Sequence, residues 1–152
     1  MRAGIVVDSL GISQLSAQLT KQLNQIESLE EYWDIILFYH TYDRIIIPPK
    51  FAMMQEEELW GFDAPVIATS LETADRLLKC PRPTKKFFYV WDLEWCFYTH
   101  DIDYTSQVYC NPDIQLIARS QSHFETIKTC WREPVAVIED FNYEEITSLI
   151  KG

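Results

Sequence analysis

Short unbroken apolar runs alternate along this chain with stretches whose apolar residues recur every three or four positions. Ala3–Val7 is the first run and stops at the polar turn Asp8-Ser9-Leu10-Gly11. Behind it, Leu15, Leu19, Leu23 and Ile26 fall at spacings of four, four and three. That is the stripe of an amphipathic helix over Ser13–Ile26, with Ser13 as its N-cap. Ile35–Tyr39 is the second run, bounded by Asp34 and His40. Arg44–Ile47 reads as a short strand halted by Pro48-Pro49. Ala52–Trp60 reads as a helix closed by Gly61 at the position after its C-cap.

The cycle then repeats. Pro65–Ala68 is a strand, and Thr69 or Ser70 caps a helix with Leu71, Ala74, Leu77 and Leu78 on one face. Glu72 lies in its first turn, where the helix dipole favours an acid, and Pro81 and Pro83 end it. Lys86–Trp91 and Ile114–Ala118 are strands, and a helix runs from Ser120 through Trp131. Pro134–Ile138 is a strand and Tyr143–Ile150 a closing helix. Unbroken rather than alternating strands, each followed by a helix, predict a mostly parallel sheet covered on both faces. The expected architecture is one doubly wound α/β domain over residues 1–152. Leu93–Pro112 is long for a connection, so it should carry function or short helices of its own.

Composition narrows the function. The 152 residues are 47% hydrophobic, enough for a substantial core without metal or disulfide support. A net charge of −10 argues against binding phosphate backbones or anionic membrane surfaces. The densest acidic run, Glu56-Glu57-Glu58, reads as a solvated helix face. No apolar stretch approaches the ~18 residues of a membrane span, and the N-terminus lacks a signal-peptide pattern. Cys80, Cys96, Cys110 and Cys130 form no CxxC pair and no zinc spacing, so they read as reduced thiols of a cytoplasmic protein without a metal or cofactor.

In open parallel sheets, ligands bind beyond the carboxyl ends of the strands, where strand order reverses. The predicted strand ends supply Asp8, Ser9 and Gly11, then His40, then Thr69 and Ser70, then Asp92 and Glu94, then Ser120, and last Glu139 and Asp140. Ser13, Ser70 and Ser120 each have a sufficient role as helix caps. His40, ending an apolar strand, suits a general base as well as a satisfied buried histidine. His100, with Asp101 and Asp103, has metal-like neighbours but no second cluster, and reads as surface loop. His123 reads as exposed on its helix. The chain has neither GxGxxG, nor a phosphate-binding P-loop with its lysine, nor a GxSxG elbow.

Several segments together resemble a known family. Ala64–Leu78 (APVIATSLETADRLL) resembles the strand and helix bordering an acceptor crevice in glycosyltransferases. FFYVWDLEW (87–95) resembles a strand of such enzymes that ends in an acid or histidine. LIARSQSHFETIK (116–128) and PVAVIEDFNYEEITSLI (134–150) are similar to the pattern closing the N-terminal Rossmann-like domain of GT-B-fold, retaining, nucleotide-sugar glycosyltransferases. GIVVDSLGISQLSAQLTKQL is compatible with that domain's opening strand, loop and helix, although it lacks the double glycine many members carry there.

The resemblance implies sugar transfer, with His40 or Asp92 contacting the acceptor hydroxyl and the Gly11 loop the donor phosphates. Asp8, Ser9, Glu94 and Ser120 would complete the ligand-binding crevice. In the family a second domain supplies most donor contacts, and the sequence stops where that domain would begin. The expectation is thus a glycosyltransferase-like domain, inactive by itself, that works with a donor-domain partner chain or a second copy, or binds a nucleotide sugar or glycan. Two other readings stand beside it. One is a non-enzymatic protein-interaction scaffold, suggested by five tryptophans on an acidic chain. The other is a flavodoxin-like nucleotide-binding domain, suggested by the Asp after the first strand.

Overall fold

The computed structural model describes residues 2–26, 34–97 and 101–152. Seven parallel strands form one sheet: β1 (Arg2–Leu10), β2 (Asp34–Tyr42), β3 (Ala52–Gln55), β4 (Val66–Ala68), β5 (Lys86–Val90), β6 (Gln115–Ala118) and β7 (Ala136–Val137). Their order across the sheet is β3-β2-β1-β4-β5-β6-β7. The chain builds outward from β1 to β3, then returns to lay β4 on the other side of β1. Strand order therefore reverses between β1 and β4. This is a Rossmann-like α/β fold, as the unbroken apolar runs predict.

Helices cover both faces. The helices are α1 (Gln14–Ile26), α2 (Leu71–Lys79), α3 (Glu94–Phe97), α4 (Ile102–Tyr109), α5 (Gln121–Cys130) and α6 (Tyr143–Lys151). On one face, Leu19 and Leu23 of α1 and Ile146 and Ile150 of α6 pack with Val7, Leu37, Ile67, Phe87 and Tyr89. On the other, Leu71, Ala74 and Leu77 of α2, Val108 and Tyr109 of α4, and Ile127 of α5 pack with Val6, Phe38, Val66 and Phe88. Successive strand residues point to opposite faces, so a sheet buried on both needs apolar side chains at every position. Phe87 and Phe88 illustrate it, one in each layer.

Local signals set the helix starts. Ser13 Oγ accepts from Ser16 N at 3.0 Å and opens α1. Ser70 and Thr73 form a reciprocal capping box on α2. Ser120 Oγ accepts from His123 N at 3.2 Å and opens α5. Leu93–Pro112 contains two short helices, α3 and α4, the second capped by Asp101. His100 lies outside the described residues.

Two elements differ from expectation. Arg44–Ile47 is not a strand, and Ile46 is 74% exposed in the link after β2. The sheet takes Ala52–Gln55 as its edge strand, and only Glu56–Gly61 coils, as a 3₁₀ turn. The predicted helix Ala52–Trp60 is thus half strand. Methionine, glutamate and leucine favour a helix intrinsically, but β2 offers an open edge, and pairing outweighs propensity. Gly61 does not take the left-handed conformation of a C′ glycine. Pro134–Ile138 shortens to Ala136–Val137 at the opposite edge.

Candidate functional site

Parallel pairing sets Val7 beside Tyr39 and Ser9 beside Thr41, which places Asp8 of β1 abreast of His40 of β2. Tyr39 lies beside Gln55, so the next residues, His40 and Glu56, are also abreast. Side chains at matched positions share a face. Asp8, His40 and Glu56 consequently form a polar row across the carboxyl ends of three adjacent strands, following the apolar row Val6–Phe38.

Arg76, from the last turn of α2, ties this row together. Its Nη2 stands 2.5 Å from Asp8 Oδ1, and its Nη1 stands 2.9 Å from Glu56 Oε2. The same Oε2 lies 3.4 Å from His40 Nδ1. A carboxylate facing Nδ1 leaves Nε2 as the outward nitrogen of the ring, the arrangement that orients a histidine for proton transfer. Glu56 is nine-tenths buried, while the His40 side chain is 51% exposed. Burial pushes the Glu56 carboxyl above its usual range, and the charges of Arg76 and His40 oppose that shift.

Glu56 is therefore not part of a solvated helix face, as its acidic run suggests; it is a buried anchor. It is the residue at the carboxyl end of β3. Reading Ala52–Gln55 as a strand is the signal that finds it. Beside the row lies a pocket of about 240 Å³ lined by His40, Glu56, Trp60, Arg76, Lys79 and Cys80, among others.

The other predicted site residues are placed separately. Asp92 is exposed just beyond β5, within electrostatic reach of His123. Glu94 turns back to the start of α2, where its Oε1 accepts from Leu71 N at 3.0 Å. It supplements the Ser70 cap and favours the positive end of the helix dipole. Ser120 caps α5. In the first loop, Gly11 N donates to Ser16 Oγ at 3.2 Å, and Ser16 Oγ in turn donates to the carbonyl of Ser9 at 3.2 Å. Ser16 thus holds the loop closed on itself. The structure brings Asp8 and His40 into one cluster; it does not bring Asp92 to them.

His123 is not exposed on its helix. It is partly buried against the end of β5, and desolvation, followed by the Arg119 charge, lowers its pKa. Arg119 lies over the Trp91 ring, 4.5 Å from its centre, and donates to the Trp91 carbonyl at 3.0 Å. At the end of β7, Asp140 and Phe141 both adopt left-handed backbone, with φ of 51° and 54°. This is costly for a bulky side chain. Phe141 is buried and stacks on Tyr89 with ring centres 3.9 Å apart, which offsets part of that cost.

The Glu139–Asn142 turn also borders an open hollow of about 890 Å³ carrying Glu139, Asp140, Glu144 and Glu145. Its acids have no basic partner in the row described above. Among the described residues, no group of acids, histidines and cysteines is arranged to hold a metal ion, and no helix is long and apolar enough to cross a membrane.

No family model matches the chain, and neither a curated protein nor a solved structure matches it at a significant level. Fold and site together define a Rossmann-like α/β protein with a charged row at the carboxyl ends of β1, β2 and β3.

Proposed function

We propose that this is a glycosyltransferase-like domain that receives a nucleotide sugar or its acceptor at the carboxyl edge of the sheet and acts together with a donor-binding partner. The observation that carries the reading is the in-register row Asp8–His40–Glu56 held by Arg76. It lies beyond the carboxyl ends of the strands, where open parallel sheets bind ligands, and borders on its β1 side the point where strand order reverses. It also contains a histidine whose Nδ1 is fixed by a buried carboxylate, the group a hydroxyl nucleophile needs beside it. The resemblance of residues 64–78, 87–95, 116–128 and 134–150 to the pattern of GT-B N-terminal domains suggests the class of chemistry.

Half of the His40 side chain faces solvent. Transfer at an open edge loses the water exclusion and fixed dipoles that stabilise a transition state. A covering surface, from a donor-domain chain or a second copy, would restore both. Ser16 closes the first loop on itself, which favours a partner over Gly11 as the donor phosphates' main contact.

Calorimetric titration with a panel of nucleotide sugars tests the reading. It expects weak but measurable binding that falls at least tenfold in His40→Ala. Absence of binding to every nucleotide sugar would overturn it. The scaffold reading has one observation of its own, the exposed side chains of Phe97 and Ile102 on α3 and α4.

A further inference from the structure

We infer that β3 is the edge at which a second copy of this chain docks. The two β3 strands pair antiparallel about a two-fold, so that one sheet runs through both copies. The inference stands apart from the reading above, because it concerns the side of the sheet and involves no ligand.

β3 is the outermost strand on its side and pairs with β2 alone. Among the described residues, no other backbone hydrogen bond reaches residues 52–55. Ala52, Met54 and Gln55 are exposed. An uncovered row of N–H and C=O groups is a template for another strand. Pro48 and Pro49 precede the strand, and neither proline nor charge interrupts Ala52–Gln55. At the opposite edge, β7 has only two residues and offers less to pair with. Apolar surface gathers here as well. Of the eight large apolar side chains exposed among the described residues, four belong to one stretch: Tyr42, Ile46, Met54 and Trp60, between the end of β2 and the turn after β3. Met54 is 39% exposed and Trp60 56%.

Charge selects the occupant and its direction. Lys50 is exposed just before β3, and Glu57 and Glu58 are exposed just after it. A two-fold along the strands would pair them parallel and set acid beside acid, which is unfavourable. A two-fold normal to the sheet runs them antiparallel and brings each Lys50 beside the acids of the other copy. That axis keeps like faces together, so an even-numbered residue stands opposite an even-numbered one. Through Met53, the axis sets Lys50 level with Glu56 of the other copy; through Met54, level with Glu58. Both registers also cover Met54, which shares the α2 face with its neighbour Phe38. A basic strand from an unrelated protein would answer the acids alone. A second copy answers both ends, with its acids for Lys50 and its Lys50 for the acids. The pairing also brings the other copy's Lys50 to the carboxyl end of β3, beside the row Asp8–His40–Glu56.

Sedimentation equilibrium of the full chain without ligand, over roughly 1 to 500 µM, tests the inference. It should show a reversible monomer–dimer equilibrium. Met54→Lys, at an exposed position and with folding checked by thermal melt, should weaken association at least tenfold. Lys50→Glu should also weaken it, and adding Glu58→Lys should recover most of that loss. Arg82→Glu makes the same change in net charge at an exposed site between α2 and β5, away from this edge, and should leave association unchanged. A monomer across the whole range overturns the inference. So does a dimer indifferent to Met54→Lys, or a Lys50→Glu loss that Glu58→Lys does not recover or that Arg82→Glu reproduces. With no ligand present, these results leave the carbohydrate reading to its own titration.

Discussion

Arg76 Nη1 stands 2.9 Å from Glu56 Oε2, joining the last turn of α2 to the carboxyl end of the edge strand β3. The contact crosses β1 and β2 on its way and also takes in Asp8. An edge strand of four residues, paired only to β2, is thereby fastened to a helix packed near the middle of the sheet.

Removing the cation should expose how much Glu56 depends on it. Arg76→Met leaves a nine-tenths-buried carboxyl facing only His40, and should cost roughly 1–3 kcal/mol in urea unfolding. Adding Glu56→Gln should recover part of that loss, because the uncompensated charge is then gone. A double-mutant cycle should show a coupling of about 0.5–3 kcal/mol. Strict additivity would show that the contact contributes nothing.

The raised pKa of Glu56 gives a signed pH dependence. The folded protein holds the proton more tightly than the unfolded chain, whose value is near 4.5. Between 4.5 and the higher folded value the native state binds more protons, so stability contributed by this group falls as pH rises and is flat above. The difference in unfolding free energy, wild type minus Glu56→Gln, should therefore decline through that window. A difference that grows with pH there would contradict the assignment.

Gly4 on β1 has no room for a side chain. A Cβ there would sit 3.0 Å from ring carbons of both Phe38 and Phe62, and 3.2 Å from a Val66 methyl. Phe38 and Phe62 pack edge to face at 5.1 Å and cannot part without disturbing the layer beneath α2. Gly4→Ala should destabilise by about 1–3 kcal/mol, read as a lower melting temperature, through overpacking.

Tyr89 donates its hydroxyl to the Ile138 carbonyl at 2.5 Å inside the other layer. Burial is the main reason its pKa is pushed up to about 12 from 10.0. Tyr89→Phe leaves a buried carbonyl unpaired and should cost about 1–3 kcal/mol. The wild type should also lose stability as pH rises from 10 to about 12, since the native state keeps the Tyr89 proton across that interval. Tyr89→Phe should lack that component.

Most of the fold was legible because a doubly covered parallel sheet writes itself as unbroken apolar runs. Ile35–Tyr39 and Lys86–Trp91 have no other home, and Ser13, Ser70 and Ser120 mark where helices begin. The edge was not legible. Ala52–Gln55 carries helix-favouring residues, and its extended form is imposed by the open side of β2. That one substitution of strand for helix hid Glu56, which then looked like one more surface acid. Arg76 was hidden differently, since nothing in the α2 pattern separates it from a solvated cation. Asp8 and His40 were found because their strands were. The sequence grouped Asp92 and Glu94 with them only because all end strands. Glu94 is engaged by the backbone of α2, and Asp92 stands apart near His123.

The central claim is that a nucleotide sugar or its acceptor meets this protein at the carboxyl ends of β1, β2 and β3. Backbone amide shifts recorded while a nucleotide sugar is titrated into the isotope-labelled chain test it most directly. The account predicts shifts concentrated at residues 8–11, 40–42, 56–60 and 69–79, and reduced in His40→Ala. Shifts confined to the opposite ends of the strands, or to α6, would contradict it.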